Sequence, residues 1–236
     1  MNEMKPKWNL NTFAWTNEDK LPGFGKLLSS WLNVHRTFCE GAQPNFSWEW
    51  GHNEHSQLGF LANAATLIGG LSVAESWIKK DSKQDSEQGK KVQGRSDLWL
   101  RLCPPHSGND YLIEAKIEQY LDVIKLNNAS QKIAQQMKAA RESAQRLKGK
   151  QEKIVAMAFL SLKFENENLD SLEQNTGDLI SHIWNQSHSQ KELDAIGAIW
   201  MGKEDFLRSK EGREKEYPGW KNVHFGMVLL ASRMMI

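Results

Sequence analysis

Cysteine is nearly absent from this chain of 236 residues: Cys39 and Cys103 are its two representatives. They show no metal-ligand spacing, so neither a disulfide framework nor a zinc ribbon organises the fold, and two free thiols in a reducing cytoplasm are the expectation. Charge of one sign is also lacking. The formal net charge is +1, so the chain is no polyanion binder by bulk charge, and any nucleic-acid contact must come from a local patch. Long apolar runs are missing too. The longest uncharged stretch, LGFLANAATLIGGLSVA at 58–74, carries Asn63, Thr66, Ser72 and three glycines, which suits a buried helix and no membrane span. The opening MNEMKPKWNL has no apolar core of a signal peptide. No P-loop, dinucleotide-binding glycine fingerprint or nucleophile-elbow serine occurs, which sets aside ATPase, dehydrogenase and serine-hydrolase readings. The HNEH of 52–55 lacks the spacing of two ligands on one helix face, and His182 and His188 align no better.

What the chain does have is tryptophan, ten in all, with Trp8, Trp15, Trp31, Trp48 and Trp50 in the first fifty residues. Core and lid packing explains such enrichment; base stacking is the sharper alternative. The length fits one large domain or one domain with elaborated ends. Residues 1–50 read as an aromatic-rich N-terminal elaboration packed on the core, irregular apart from an amphipathic helix near 24–39. Residues 51–236 read as the main domain. Asn53 is placed to cap a helix carrying Leu58, Leu61, Ala62, Ala65 and Ile68, broken at Gly69-Gly70 and resumed to Lys80. DSKQDSEQGKKVQG at 81–94 reads as a solvated loop. Strand-like runs follow at 96–102 and 111–117, separated by the turn-rich CPPHSGND. A helix is expected over 128–148, with Ile133, Met137, Ala140, Ala144 and Leu147 in one stripe and Gly149 ending it. KIVAMAFLSLKF (153–164) is a fully buried strand. Residues 170–187 read as helix, 195–202 and 222–233 as strands, and the charged segment before the last strand as an exposed loop. The class is α/β.

Charges are rarely set inside strand-like runs unless paired or used, yet GRSDLWLRLCPPHSGNDYLIEAK at 94–116 holds Asp97, Glu114 and Lys116. Side chains alternate faces along a strand, so Asp97, Trp99 and Arg101 share one face, and Leu112, Glu114 and Lys116 share another. In an antiparallel hairpin one register sets Asp97 opposite Lys116 and Trp99 opposite Glu114. The two carboxylates are then diagonal neighbours roughly 7–8 Å apart. A slip of two keeps them on one face; a slip of one separates them. Two such carboxylates suit Mg²⁺ or Mn²⁺, and a cation so held polarises phosphate and acidifies water. The plain alternative is a cross-strand ion pair of Lys116 with Asp97 or Glu114.

The segment resembles the PD-(D/E)xK nuclease superfamily, whose signature is an aspartate on one strand and (D/E)-x-K on the next. Here these are RSD, ending at Asp97, and EAK at 114–116; Ser96 stands where the signature has proline. The resemblance spans roughly residues 50–165. It implies a restriction-endonuclease-like αβββαβ core, a central mixed sheet flanked by helices, with N-terminal and C-terminal elaborations. The first core strand is not evident in the sequence. The implied activity is metal-dependent hydrolysis of phosphodiester bonds in DNA, with RNA and a homodimer left open and no membrane partner. Asp97, Glu114 and the Ala115 carbonyl would hold Mg²⁺ (or Mn²⁺), and Lys116 would orient the attacking water. The family also places a glutamate on its first core helix, here Glu54, with Glu49 and Glu75 next in order. Gln135 or Gln136 would face the site.

Eight Lys and Arg residues lie between Lys125 and Lys153, against Glu142 and Glu152. Among them Lys132, Lys138 and Arg141 are the expected backbone-phosphate contacts; an ordinary solvated helix face is the alternative. The alternative to the enzyme is a non-catalytic nucleic-acid-binding or protein-interaction module that keeps the fold.

Overall fold

The computed structural model describes residues 8–41, 54–75, 77–81, 91–102, 110–147, 152–164, 169–190, 192–216 and 223–235. The elements run β1 (Leu10–Thr16), α1 (Phe24–Gly41), α2 (Glu54–Leu67), β2 (Leu71–Ala74), β3 (Trp77–Asp81), β4 (Lys91–Arg95), β5 (Leu98–Arg101), β6 (Asp110–Asp122), α3 (Leu126–Ala144), β7 (Lys153–Phe164), α4 (Leu172–Gln190), β8 (Ala195–Met201), α5 (Lys203–Glu216) and β9 (Val223–Arg233), with a single 3₁₀ turn at Leu169–Ser171. The class is α/β, as the alternation of periods implies. Seven strands form an open sheet in the order β1-β8-β9-β7-β6-β5-β2, and β3 pairs with β4 in a separate ribbon. β6 and β7 run parallel; the other pairs are antiparallel.

Apolar pattern decides the layering. Ile154 to Phe164 are all buried, so β7 needs cover on both faces. On one face Tyr111, Ile113 and Ala115 of β6 join Leu98 and Leu100 of β5, all of them fully buried. Tyr111 donates its hydroxyl to the Pro22 carbonyl at 2.7 Å and meets the Phe24 ring edge-on, so this is the face of α1. α2 packs beside α1, while α3 contacts β6 and β7 and makes few contacts with either helix. Two helices over the same strands of one face would touch, so α3 covers the opposite face. Its buried stripe is Ala129, Met137, Ala140, Ala144 and Leu147, with Ile133 half-buried.

Four expectations are corrected here, the first being the solvated loop of 81–94: Asp81 and residues 91–94 belong to the paired strands β3 and β4. The helix does not resume after Gly69-Gly70: Gly69 has φ +79°, outside the right-handed helix, and the chain turns back as β2 to pair with β5. At Gly70 a Cβ would stand 2.6 Å from the Arg101 carbonyl oxygen, so close backbone approach demands glycine there. Residues 10–16, read as irregular, form an edge strand on β8. The segment 203–216, read as loop, is α5. It buries Phe206 and Asp205, and Asp205 accepts the Asn9 N–H and pairs with Arg208 at 3.2 Å. Asn53, CPPHSG, Gly149 and Cys103 lie outside the described residues; Cys39 is a buried free thiol, and burial raises its pKa. No helix among the described residues is long and apolar enough to cross a membrane.

Candidate active site

β5 and β6 carry the three charges. Their register pairs Leu98 with Ile113, Trp99 with Leu112 and Arg101 with Asp110. Continued by one step, it sets Asp97 opposite Glu114. The expected register is therefore corrected by a slip of two, which leaves the parity untouched. Asp97, Trp99, Arg101, Leu112, Glu114 and Lys116 share one face, the face of α3. The burial pattern agrees: Ser96, Leu98 and Leu100 are fully buried, whereas Asp97 and Trp99 are half-buried and Arg101 is exposed.

The β5 ladder stops at Leu98, which leaves the N–H and C=O of Ala115 without a strand partner on that side. Side chains take over. The Asp97 carboxylate accepts the Ala115 N–H at 2.7 Å, and the Lys116 ammonium donates to the Ala115 carbonyl at 2.6 Å. Buried backbone groups are almost always satisfied, and here the side chains of Asp97 and Lys116 satisfy them. Glu114 sits beside them, 2% exposed, in the middle of a strand covered by a helix.

A third carboxylate stands in the same row. β2 pairs Ala74 with Leu98, so Glu75 falls beside Asp97, and its N–H donates to the Asp97 carbonyl at 3.0 Å. Glu75 adopts φ +50°, a conformation rare for a side-chain-bearing residue and often associated with function. The sequence offered Glu75 only as a helix glutamate; what brings it here is the reversal at Gly69. Glu54 begins α2, but its side chain lies outside what the structure describes, as does Glu49 altogether. Of the two glutamines, Gln136 points inward from α3, at 8% exposure, while Gln135 is exposed. At the far end of the same face Arg101 clamps Asp110 through two bonds of 2.7 Å and lies over the Trp99 ring; that guanidinium holds the Asp110 carboxyl below the usual range.

The chain matches no family model, no curated protein and no solved structure.

The three basic residues expected along α3 do not make one stripe. Lys132 and Arg141, nine residues apart, lie about 180° apart around a helix of 3.6 residues per turn. Lys132 donates to the Tyr120 carbonyl at 3.1 Å. Lys138 pairs with Glu142 at 3.9 Å, and Arg141 donates to the Glu192 carbonyl at 2.5 Å. As for a metal, no three His, Cys, Asp or Glu side chains among the described residues converge on one point. The oxygen donors available to a hard cation are the carboxylates of Asp97 and Glu114 and the Ala115 carbonyl. That place accepts positive charge, since the Lys116 ammonium already rests on the carbonyl.

Proposed function

We propose that this chain is a metal-dependent nuclease of the PD-(D/E)xK type that hydrolyses phosphodiester bonds in DNA. The observation that carries the reading is the common face of Asp97, Glu114 and Lys116, with Asp97 and Lys116 meeting on the two backbone groups of Ala115. Element order adds support: with the separate β3–β4 ribbon set aside, α2, the antiparallel strands β2, β5 and β6, then α3 and the parallel strand β7 run in the αβββαβ order that the resemblance implies.

Asp97 and Glu114 with the Ala115 carbonyl would hold Mg²⁺ or Mn²⁺, which supplies a polarised phosphate oxygen and a more acidic water. The chain's own residues do the rest. Lys116, released from the Ala115 carbonyl, orients the attacking water and offers positive charge to the phosphate as it accumulates negative charge. Burial of Glu114 beneath α3 keeps its carboxylate fixed rather than solvated, and Gln136 on the inward face of that helix is a polar group available to the same space. The cytoplasm is the proposed compartment.

One observation favours a second reading, a binding module without catalysis. Asp97 and Lys116 finish a strand ladder, a purely structural task that persists without chemistry. The decisive experiment is nicking of supercoiled and linear DNA with Mg²⁺ or Mn²⁺ against an EDTA blank, with RNA as a parallel substrate. Wild type should cleave, and Lys116→Ala should lose at least about 100-fold in rate while binding DNA as before. Cleavage by Lys116→Ala at the wild-type rate refutes the mechanism. A wild type inert on every substrate, with no shift of melting temperature on adding metal, refutes the nuclease and favours the binding module instead.

A further inference from the structure

A second polar cluster lies at the carboxyl ends of the parallel strands β6 and β7, and Asp97, Glu114 and Lys116 do not use it. Two ladder irregularities fall side by side there. The β6–β7 register shifts between Glu118 and Leu121, and the β7–β9 register shifts between Leu162 and Lys163. Bulges of this kind turn side chains out of the normal alternation and are common beside functional sites. Here they accompany the gathering of Tyr120 and His224, whose rings lie 6.2 Å apart. The ammonium groups of Lys132 and Lys163 each stand 4.4 Å from the centroid of the Tyr120 ring, so they are no more than twice that distance from each other. Lys163 is 3% exposed. His224 bonds through Nδ1 to the Ser161 hydroxyl at 2.6 Å.

Bringing two lysines to one ring costs repulsion and, for Lys163, desolvation. Next to them opens a cavity of about 120 Å³ lined by Tyr120, Asp122, Lys125, Asn128, Ala129 and Lys132. It has room for a tetrahedral oxyanion or a few waters. The one carboxylate in its wall is already answered: Asp122 accepts the Ile124 N–H at 3.0 Å and pairs with Lys125 at 3.2 Å. Lys132 and the Asn128 amide are the donors along the wall, beside the Asp122–Lys125 ion pair. Open α/β sheets bind ligands outside the carboxyl ends of their strands, and this is such a place.

We propose that this pocket binds a phosphate group, with Lys132 as its principal donor and Lys163 as a buried positive charge behind the Tyr120 ring. The pocket stands without the nuclease reading, which affects only where the phosphate comes from. Tyr120 is four residues along β6 from Lys116, roughly 13 Å at the rise of a strand. On duplex DNA that is three to four nucleotides of one strand, at about 3.4 Å each, so a nucleic-acid backbone placed at Lys116 has a phosphate within reach. Inorganic phosphate or a free nucleotide offers the same chemistry.

The test uses the full chain and two probes, sodium phosphate titrated against sodium chloride at equal ionic strength and a short labelled oligonucleotide without divalent metal. Wild type should show a saturable rise in melting temperature with phosphate. Lys132→Ala should weaken phosphate binding about tenfold, as loss of a charge-assisted bond requires, and Asn128→Ala should weaken it by a smaller factor. Both positions are at the protein surface or half-buried, and urea unfolding checks that the variants fold. If oligonucleotide affinity also falls in Lys132→Ala, with a salt slope smaller by about one, the phosphate belongs to a nucleic acid. If oligonucleotide affinity is unchanged while phosphate binding falls, the ligand is a free phosphate or nucleotide. Asp97→Asn, which alters only the other site, should bind phosphate like wild type whether or not the wild type cleaves DNA, so failure of the nuclease reading leaves this result intact. Absence of saturable phosphate binding in the wild type, or equal binding by wild type, Lys132→Ala and Asn128→Ala, overturns the proposal.

Discussion

The carboxylate of Asp97 accepts the backbone N–H of Ala115 at 2.7 Å. This bond replaces a missing rung of the β5–β6 ladder, and it separates two roles that one residue would play. Asp97→Ala leaves a backbone donor without its acceptor and should cost about 1–3 kcal/mol of stability. Asp97→Asn retains an oxygen able to accept the same N–H and removes the charge opposite Glu114, so its stability should match or exceed that of wild type in the absence of metal. Any metal-induced rise in melting temperature should vanish in both. Urea unfolding measures the stabilities, and thermal melting with and without Mn²⁺ measures the metal effect. Equal losses for Ala and Asn would show that the hydrogen bond contributes nothing.

Lys116 offers a complementary contrast. Its ammonium rests on the Ala115 carbonyl, but the side chain is half-buried and water can take its place. Lys116→Met should therefore change stability by less than about 1 kcal/mol, the net worth of an ordinary hydrogen bond, while removing cleavage. A loss of several kcal/mol would mean that Lys116 is chiefly a structural cap and that lost cleavage in its variants says nothing of catalysis.

Parity made the site legible in the sequence. Side chains alternate with a period of two, so EAK placed Glu114 and Lys116 together before any coordinates, and any even slip kept Asp97 with them; the register itself was set by the ladder and differed by two. β7 and α3 were legible because a continuous apolar run and a strong helical stripe have few other readings. α5 was hidden because a helix that buries chiefly Phe206 shows no stripe, its support being the buried Asp205 and its tie to Asn9. The strand after Gly69 was hidden because exposed Leu71 and Val73 on a sheet edge carry no alternation of burial. The Tyr120 cluster was out of reach altogether. It depends on two bulges that bring Lys132, Lys163 and His224 together from three elements, and nothing in local spacing encodes them.

Asp194 ties the N-terminal strand region to the centre of the sheet. At 2% exposure it accepts the Lys20 ammonium at 2.7 Å and the Arg233 N–H at 2.8 Å, while its own carbonyl accepts the Asn17 N–H at 2.7 Å. Asp194→Ala strands a backbone donor and a partly exposed cation, and should cost about 2–4 kcal/mol. Asp194→Asn keeps the bond to Arg233 and should cost less. Lys20→Ala removes only the half-exposed partner, and about 1 kcal/mol is expected. A Lys20 variant as damaging as Asp194→Ala would reverse the order of importance argued here.

His35 makes stability depend on acid in a defined direction. It is 1% exposed on α1, with the Trp31 ring edge-on at 4.6 Å and the Phe60 ring at 4.4 Å. Burial pushes its pKa down to about 3, against a smaller upward pull from the hydrogen bond with Gln57. The folded protein therefore keeps a neutral imidazole where the unfolded chain, with an ordinary value near 6.5, takes up a proton. The stability contribution is complete above the unfolded value and is lost as pH falls from there toward about 3. At about 1.4 kcal/mol per pH unit for one proton, roughly 2 kcal/mol should be gone between pH 7.5 and pH 5. His35→Gln can keep a bond to Gln57 and cannot titrate, so its stability should fall by about 2 kcal/mol less than that of wild type over the same interval. Every other titrating group is shared by the two proteins, and the difference between their urea-unfolding curves at the two pH values isolates this one. Parallel pH dependence in wild type and variant would mean that His35 is charged, or reaches water, in the folded protein.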